Sequence, residues 1–162
     1  MAVTSVDEQL IRTYWALDET SPTGLCWVRT RQGARARPGD PACPHVTNGY
    51  YSGQLGKRNY RAHRVVYFLT YGVWPVDIDH IDGCRLNNNI RNLRNVSRAE
   101  NLQNKVSAGC YLCKDTGRWR AEIRVDGRRI RLGRFDTQQA ARSAYLQAKR
   151  THHPYAGERC YA

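Results

Sequence analysis

Between residues 79 and 104 the chain reads DHIDGCRLNNNIRNLRNVSRAENLQN, with seven asparagines among 26 residues. Asp79 and His80 stand side by side at its head. Imidazole is the side chain that takes or gives a proton near neutral pH, and a carboxylate offers hard oxygen donors. A carboxamide donates and accepts at once. Asparagine is a poor helix and strand former, so such a run is either polar turn chemistry or a set of side chains aimed at something.

The elements around these residues set what they can reach. "VDI" before His80 reads as a strand, Asp82-Gly83 as a turn, and "IRNLRNV" (90–96) as a second strand. Ser97 and Glu100 of "SRAE" have the spacing of a capping box. A helix therefore starts there, with Asn101 in its first turn. Strand, loop, strand and helix form a compact frame in which His80, Asn92 and Asn101 can converge. Upstream, "HRVVYFLTYG" (63–72) predicts a helix closed by Gly72, and "GYYSGQLGKRNYRAHR" (49–64) a hairpin turning at Gly56–Asn59.

Asp79-His80, Asn92 in "NLR" and Asn101 in "EN", with "AHRVVYFLTYGVWP" upstream, resemble the H-N-N form of the HNH (ββα-metal) nuclease motif. They are most similar to phage and intron-encoded homing endonucleases. The resemblance implies roles for the matching residues. His80 is the general base that activates water against a phosphodiester. Asp79 and Asn101 hold one Mg²⁺ (or Mn²⁺) per active site, and Asn92 bridges the loop and orients His80. Asn101 is neutral where classical HNH enzymes carry histidine, a change that homing-type members tolerate. His63, in the "AHR" this family often shows, is expected to pack or to orient a phosphate, in support of the site. Asn87, Asn88 and Asn89 read as turn formers or backbone contacts; Asn95 and Asn104 receive no role.

After Lys105 the character changes. "CYLCKDTGRWRAEIRVDGRRIRLGRF" alternates at period two, with turns at Asp115–Gly117 and Asp126–Gly127, and predicts three strands. "DTQQAARSAYLQAKR" (136–150) predicts a helix capped by Thr137 or Asp136, with Ala140, Ala144, Tyr145 and Ala148 at helical spacing. On the second strand Trp119, Ala121, Ile123 and Val125 share one face; Arg118, Arg120, Glu122 and Arg124 share the other. On the third, Ile130 and Leu132 are expected to face the helix and Arg129 and Arg131 to face outward. This stretch resembles the ethylene-response-factor (APETALA-type) DNA-binding domain. The resemblance places these outward residues and Tyr111 in the major groove; plant members carry arginine where Tyr111 stands. Residues 109–157 hold eleven Lys and Arg against four Asp and Glu. Such an arginine-dominated face repels itself until an anion covers it.

Over all 162 residues, 26 Lys and Arg stand against 14 Asp and Glu, a net charge of +12 and a pI near 9.8. That balance favours nucleic acid. Arg29, Arg31, Arg35 and Arg37 in a Gly/Pro/Arg loop (29–45) are candidate phosphate contacts, or else a solvated basic loop. Val6, Leu10, Ile11, Tyr14 and Leu17 predict an N-terminal helix, and "LCWV" (25–28) a short strand. The first residues carry acids and no apolar run, unlike a signal peptide, and no membrane span is expected. The six scattered cysteines suit reduced thiols in a cytoplasm. "CYLC" (110–113) invites a zinc reading with His152 and His153 or Cys43 and His45 as partners, but structural zinc is not expected: Cys110 and Cys113 fall on opposite sides of a strand, and the spacing to 152–153 fits no common pattern.

The expected fold is α+β and modular: an N-terminal region (1–60), a nuclease domain (61–104), a linker (105–108), an ERF-like module (109–157) and a tail (158–162). The expected function is metal-dependent cleavage of double-stranded DNA by a monomer or homodimer, in a phage-infected or other prokaryotic cell. A non-cleaving DNA-binding regulator built on a decayed nuclease is the alternative, and an RNA-binding or structural module a third. The intact Asp79, His80, Asn92 and Asn101 speak against decay.

Overall fold

The computed structural model describes residues 3–30 and 35–162, so Arg31 lies outside the described residues. Helices and several small antiparallel sheets give an α+β fold. The chain divides into two compact units, Met1–Val96 and Ser97–Ala162. Among the described residues no helix is long and apolar enough to cross a membrane.

In the first unit, α1 (Ser5–Tyr14) begins with a capping box between Thr4 and Asp7. It is shorter than its apolar spacing predicts: β1 (Trp15–Leu17) follows at once and pairs with β2 (Leu25–Trp27). Trp15 and Ile11 enter the core, while Leu17 and Val6 remain exposed. Burying Trp15 through an extended segment overrides the helical period.

β3 (His45–Thr47), β4 (Tyr50–Leu55) and β5 (Arg58–Arg61) form an antiparallel sheet. The expected hairpin turns at Gly56-Lys57, with Leu55 opposite Arg58. A second two-residue turn joins β3 to β4. Asn48 (φ 53°) and Gly49 (φ 79°) both lie in the left-handed region that an Asn-Gly hairpin turn requires. β5 runs directly into α2 (Ala62–Tyr71), which ends at left-handed Gly72 as expected. Its buried Ala62, Val65, Val66 and Phe68 meet Trp15, Leu25, Leu55 and Tyr60 in the unit's core. Trp74 stacks on Phe68 at 4.6 Å and 5°. β6 (Asp77–His80) and β7 (Leu93–Val96) then pair antiparallel, with Asp79 opposite Arg94 and His80 opposite Leu93.

The second unit opens with α3 (Arg98–Gln103). Ser97 Oγ accepts from Glu100 N at 3.3 Å and Glu100 Oε2 accepts from Ser97 N at 2.6 Å, the expected capping box. β8 (Cys110–Cys113), β9 (Arg118–Val125) and β10 (Arg128–Phe135) form a meander, and α4 (Gln138–His152) is capped by Thr137. The buried stripe of α4 is Ala141, Tyr145 and Lys149; Ala140, one position off, is exposed. Tyr145 packs with Ala121 and Ile123. The buried Lys149 Nζ donates to Lys105 O at 2.9 Å. At the end of α3, the buried carboxamide of Asn104 accepts from Gly157 N at 2.9 Å, and the backbone carbonyl of Asn104 accepts from Arg159.

The β9–β10 register shifts between Arg131 and Gly133. Leu132 is the extra residue, and Gly133 (φ 134°) supplies the conformation the bulge needs. Parity reverses beyond it. Ile130, opposite Ile123, is left exposed at its end of the sheet, whereas Leu132 and Phe135 pack on the core.

Gly109 is fixed by packing as well as by its φ of 65°: an added Cβ would lie 2.0 Å from Cγ of Tyr145. Gly109→Ala should destabilise the second unit by about 1–3 kcal/mol. Chemical denaturation followed at the tryptophan of this unit, Trp119, checks the value.

Candidate active site

Carboxamides and one carboxylate close the loop between β6 and β7. Asp82 Oδ1 accepts from Cys84 N at 2.7 Å and from Asn92 Nδ2 at 2.9 Å; its Oδ2 accepts from Asn87 Nδ2 at 2.7 Å. Asn92 also accepts from Asp82 N at 3.0 Å and donates to Asn87 O at 2.9 Å. Asn89 Oδ1 accepts from Arg91 N, and Asn95 Oδ1 from Val76 N. Burial alone would raise the Asp82 carboxyl; its donors from Asn87, Cys84 and Asn92 outweigh that and hold it below the ordinary carboxylate range. The asparagines are the loop's substitute for backbone pairing.

His80 is 5% exposed and sits on this frame. Its Nε2 lies 3.4 Å from Oδ1 of Asn88, which is itself 4% exposed. The other end of the amide decides the proton. Asn88 Nδ2 donates to Thr23 O at 2.9 Å, so Oδ1 faces His80 and Nε2 must be the donor. The lone pair of the neutral ring then resides on Nδ1. Burial lowers the imidazole below its ordinary value, partly offset by the Asn88 hydrogen bond and the carboxylates of Asp82 and Asp79. His80 is therefore a neutral base at neutral pH.

Two features escape the sequence reading. Asn88, read as a turn former, hydrogen-bonds His80, while Asn92 bonds to Asp82 and Asn87. Arg94 grips the buried Asp79: Nε and Nη2 donate to Oδ2 at 2.9 and 2.5 Å. That pairing was available from the sequence, since "DIDH" laid antiparallel against "LRNV" sets the two opposite each other. Thr23, 65 positions from Asn88, carried no signal.

His63, 4% exposed at the start of α2, packs edge-on to His80 with ring centroids 5.1 Å apart. Its Nδ1 is buried with no hydrogen-bond partner among the described residues. Burial, then the charges of His80, Arg61 and Arg64, push its imidazole down to about 3. Asn101 lies in the second unit on α3, its N–H donating to Ser97 O at 3.0 Å. Among the described residues no group of three or more His, Cys, Asp or Glu gathers around a metal position.

In the second unit, the sheet face turned away from α4 carries Tyr111, Arg118, Arg120, Glu122, Arg124, Arg129 and Arg131. The bulge adds Arg134, opposite Arg120, which simple alternation assigns to the helix side. Tyr111 Oη donates to Glu122 and accepts from Arg120, both at 3.4 Å. In the first unit Arg29, Arg35 and Arg37 are exposed.

Two outcomes follow from this geometry. Asn88→Ala should convert His80 from the Nε2–H form to a tautomer mixture, read from imidazole ¹⁵N shifts. His63 binds a proton in the unfolded chain below about 6.5 but in the folded chain only near 3. Stability present above pH 6.5 is thus lost toward pH 3, by up to about 1.4 kcal/mol per pH unit from this residue. His63→Leu should flatten the urea-measured pH dependence by that amount.

Residues 60–103 match the model of the HNH endonuclease family. A 63-residue stretch is 38% identical to the SPbeta prophage-derived protein YosQ of Bacillus subtilis (strain 168), named as a predicted HNH homing endonuclease. The stretch is 38% of this chain and 36% of that protein, so the chain spans about a third of this relative's length. No solved structure gives a significant match. Over residues 60–103, which include Asp79, His80, Asn92 and Asn101, the similarity is to HNH endonucleases.

Proposed function

We propose that the protein is a metal-dependent DNA endonuclease of homing type that hydrolyses phosphodiester bonds at a specific duplex site, with His80 as general base. The observation that carries this reading is the Asn88 carboxamide held against His80, its Nδ2 bonded to Thr23 O and its Oδ1 3.4 Å from Nε2. With Nε2–H committed to Asn88, Nδ1 is the atom that removes a proton from the attacking water. The depressed imidazole keeps that nitrogen unprotonated at neutral pH. Asn92 holds the loop on which this arrangement depends. HNH nucleases generally use a divalent metal. In the proposed scheme Asp79 and Asn101 would hold one such ion, Mg²⁺ or Mn²⁺, and the chemistry it would supply is neutralisation of negative charge on the phosphate. Arg94 supplies a counter-charge to the buried Asp79.

The second unit is proposed to read the target in the manner of an ERF-like domain. Three antiparallel strands with a helix across one face and arginines on the other support this. Arg118, Arg120, Arg124, Arg129 and Arg131 are the proposed groove contacts with Tyr111 and Glu122, while Arg35 and Arg37 are proposed phosphate contacts. One His80 per chain implies nicking by a monomer or double-strand cleavage by a homodimer. A place in a phage-infected or other prokaryotic cell rests on the prophage origin of the relative.

The test uses a library of supercoiled plasmids bearing candidate targets, incubated with Mg²⁺ and either wild-type protein or His80→Ala. Wild type should give nicked or linear product, with the rate reduced by about 10²–10⁴ in the variant. Binding by both without cutting by either would sink the nuclease reading in favour of a non-cleaving binder.

A further inference from the structure

Two arginines that the scheme above does not use converge beside His80. Arg61 lies opposite Ser52 in the β4–β5 pair, and Ser52 shares a sheet face with Tyr50 two residues earlier. This diagonal brings the Arg61 guanidinium within 4.7 Å of the Tyr50 ring centre. Arg85 arrives from the β6–β7 loop and reaches 5.0 Å from the same ring. It is steadied by a 3.4 Å hydrogen bond to Asn48 O in the Asn-Gly turn. Tyr50 in turn packs on His63 at 4.9 Å and lies 5.9 Å from His80. One ring thus carries two cations and touches both imidazoles.

The charges here are unbalanced. Both guanidiniums are exposed, and among the described residues neither is within ion-pair distance of a carboxylate. Two arginines drawn to one aromatic ring repel each other until an anion lies between them. A planar fork of N–H donors is suited to phosphate oxygens.

We propose that Arg61 and Arg85, positioned by Tyr50, form a clamp for a nucleic-acid backbone phosphate beside the bond to be cut. Which phosphate is gripped rests on the nuclease reading; that a phosphodiester is bound does not. The clamp also explains the Asn-Gly turn, which presents Asn48 O to Arg85 and Tyr50 to the pair. A side chain at Gly49 would meet Arg85 Cδ at 3.6 Å.

The experiment measures binding without cleavage, in EDTA, by anisotropy of the full chain with a fluorescent random-sequence duplex across a KCl series. Each neutralised phosphate contributes a slope of about −0.9 in log K against log salt, so removing the one clamped phosphate with Arg61→Ala and Arg85→Ala should flatten the slope by about 0.9. Tyr50→Ala should also flatten it, although both arginines remain, and Tyr50→Phe should not. Thermal unfolding is expected to be unchanged in the arginine variants, whose side chains are exposed. A wild-type slope in the double variant would overturn the clamp, and a wild-type slope in Tyr50→Ala would overturn the positioning by the ring. Because no cleavage is scored, a flattened slope stands even if the plasmid assay finds no nuclease.

Discussion

The site depends on keeping the β6–β7 loop closed without a regular ladder. Twelve residues separate His80 from Leu93, and few of their backbone groups can pair with a strand. Asp82, Asn87 and Asn92 do that work with their side chains, each satisfying a backbone or carboxylate partner that water would otherwise take. A carboxamide can cross-link a loop in two directions at once; leucine or lysine cannot. Loop closure in turn delivers Asn88 to His80 and Arg85 to Tyr50.

The same closure explains why two histidines tolerate burial side by side. Charged imidazoles 5.1 Å apart in an apolar setting would repel each other and lose their hydration. Neutral rings avoid both costs, and neutrality is what a proton acceptor needs. The stability of the first unit and the proton affinity of its candidate base thus draw on one desolvated environment. Asp79 and Arg94 follow the opposite logic. The buried carboxylate of Asp79, beside His80 in the chain, is instead paired across the strands with the Arg94 guanidinium.

Local signals were legible. Ser97 and Glu100, Gly72, Gly56, the two aspartate-glycine regions after Lys105 and the alternation along 118–125 each carry their own short-range cause, and each recurs in the structure. Non-local causes were not. The N-terminal helix stops where Trp15 is needed in the core, a demand no window of spacing contains. The parity of β10 fails at Leu132 because one inserted residue reverses every face after it, which moves Arg134 among the outward arginines. Asn88 is indistinguishable from its neighbours until Thr23 comes to meet it. Asn48-Gly49 is the instructive miss: the dipeptide is a strong hairpin signal, and it marks a strand, His45–Thr47, of which the loop expected over 29–45 includes only His45.

The fastening of Asn104 bears on how such a chain can be assembled over evolutionary time. The end of α3 is tied to Gly157 and Arg159, so the last helix of the family match and the final turn of the chain share one set of hydrogen bonds. A recombination joint placed after residue 105 would import a foreign sheet and helix but discard those partners. Exchange of the arginine-faced unit is therefore constrained at both of its ends, and its sheet face can vary by substitution more readily than the whole unit can be replaced.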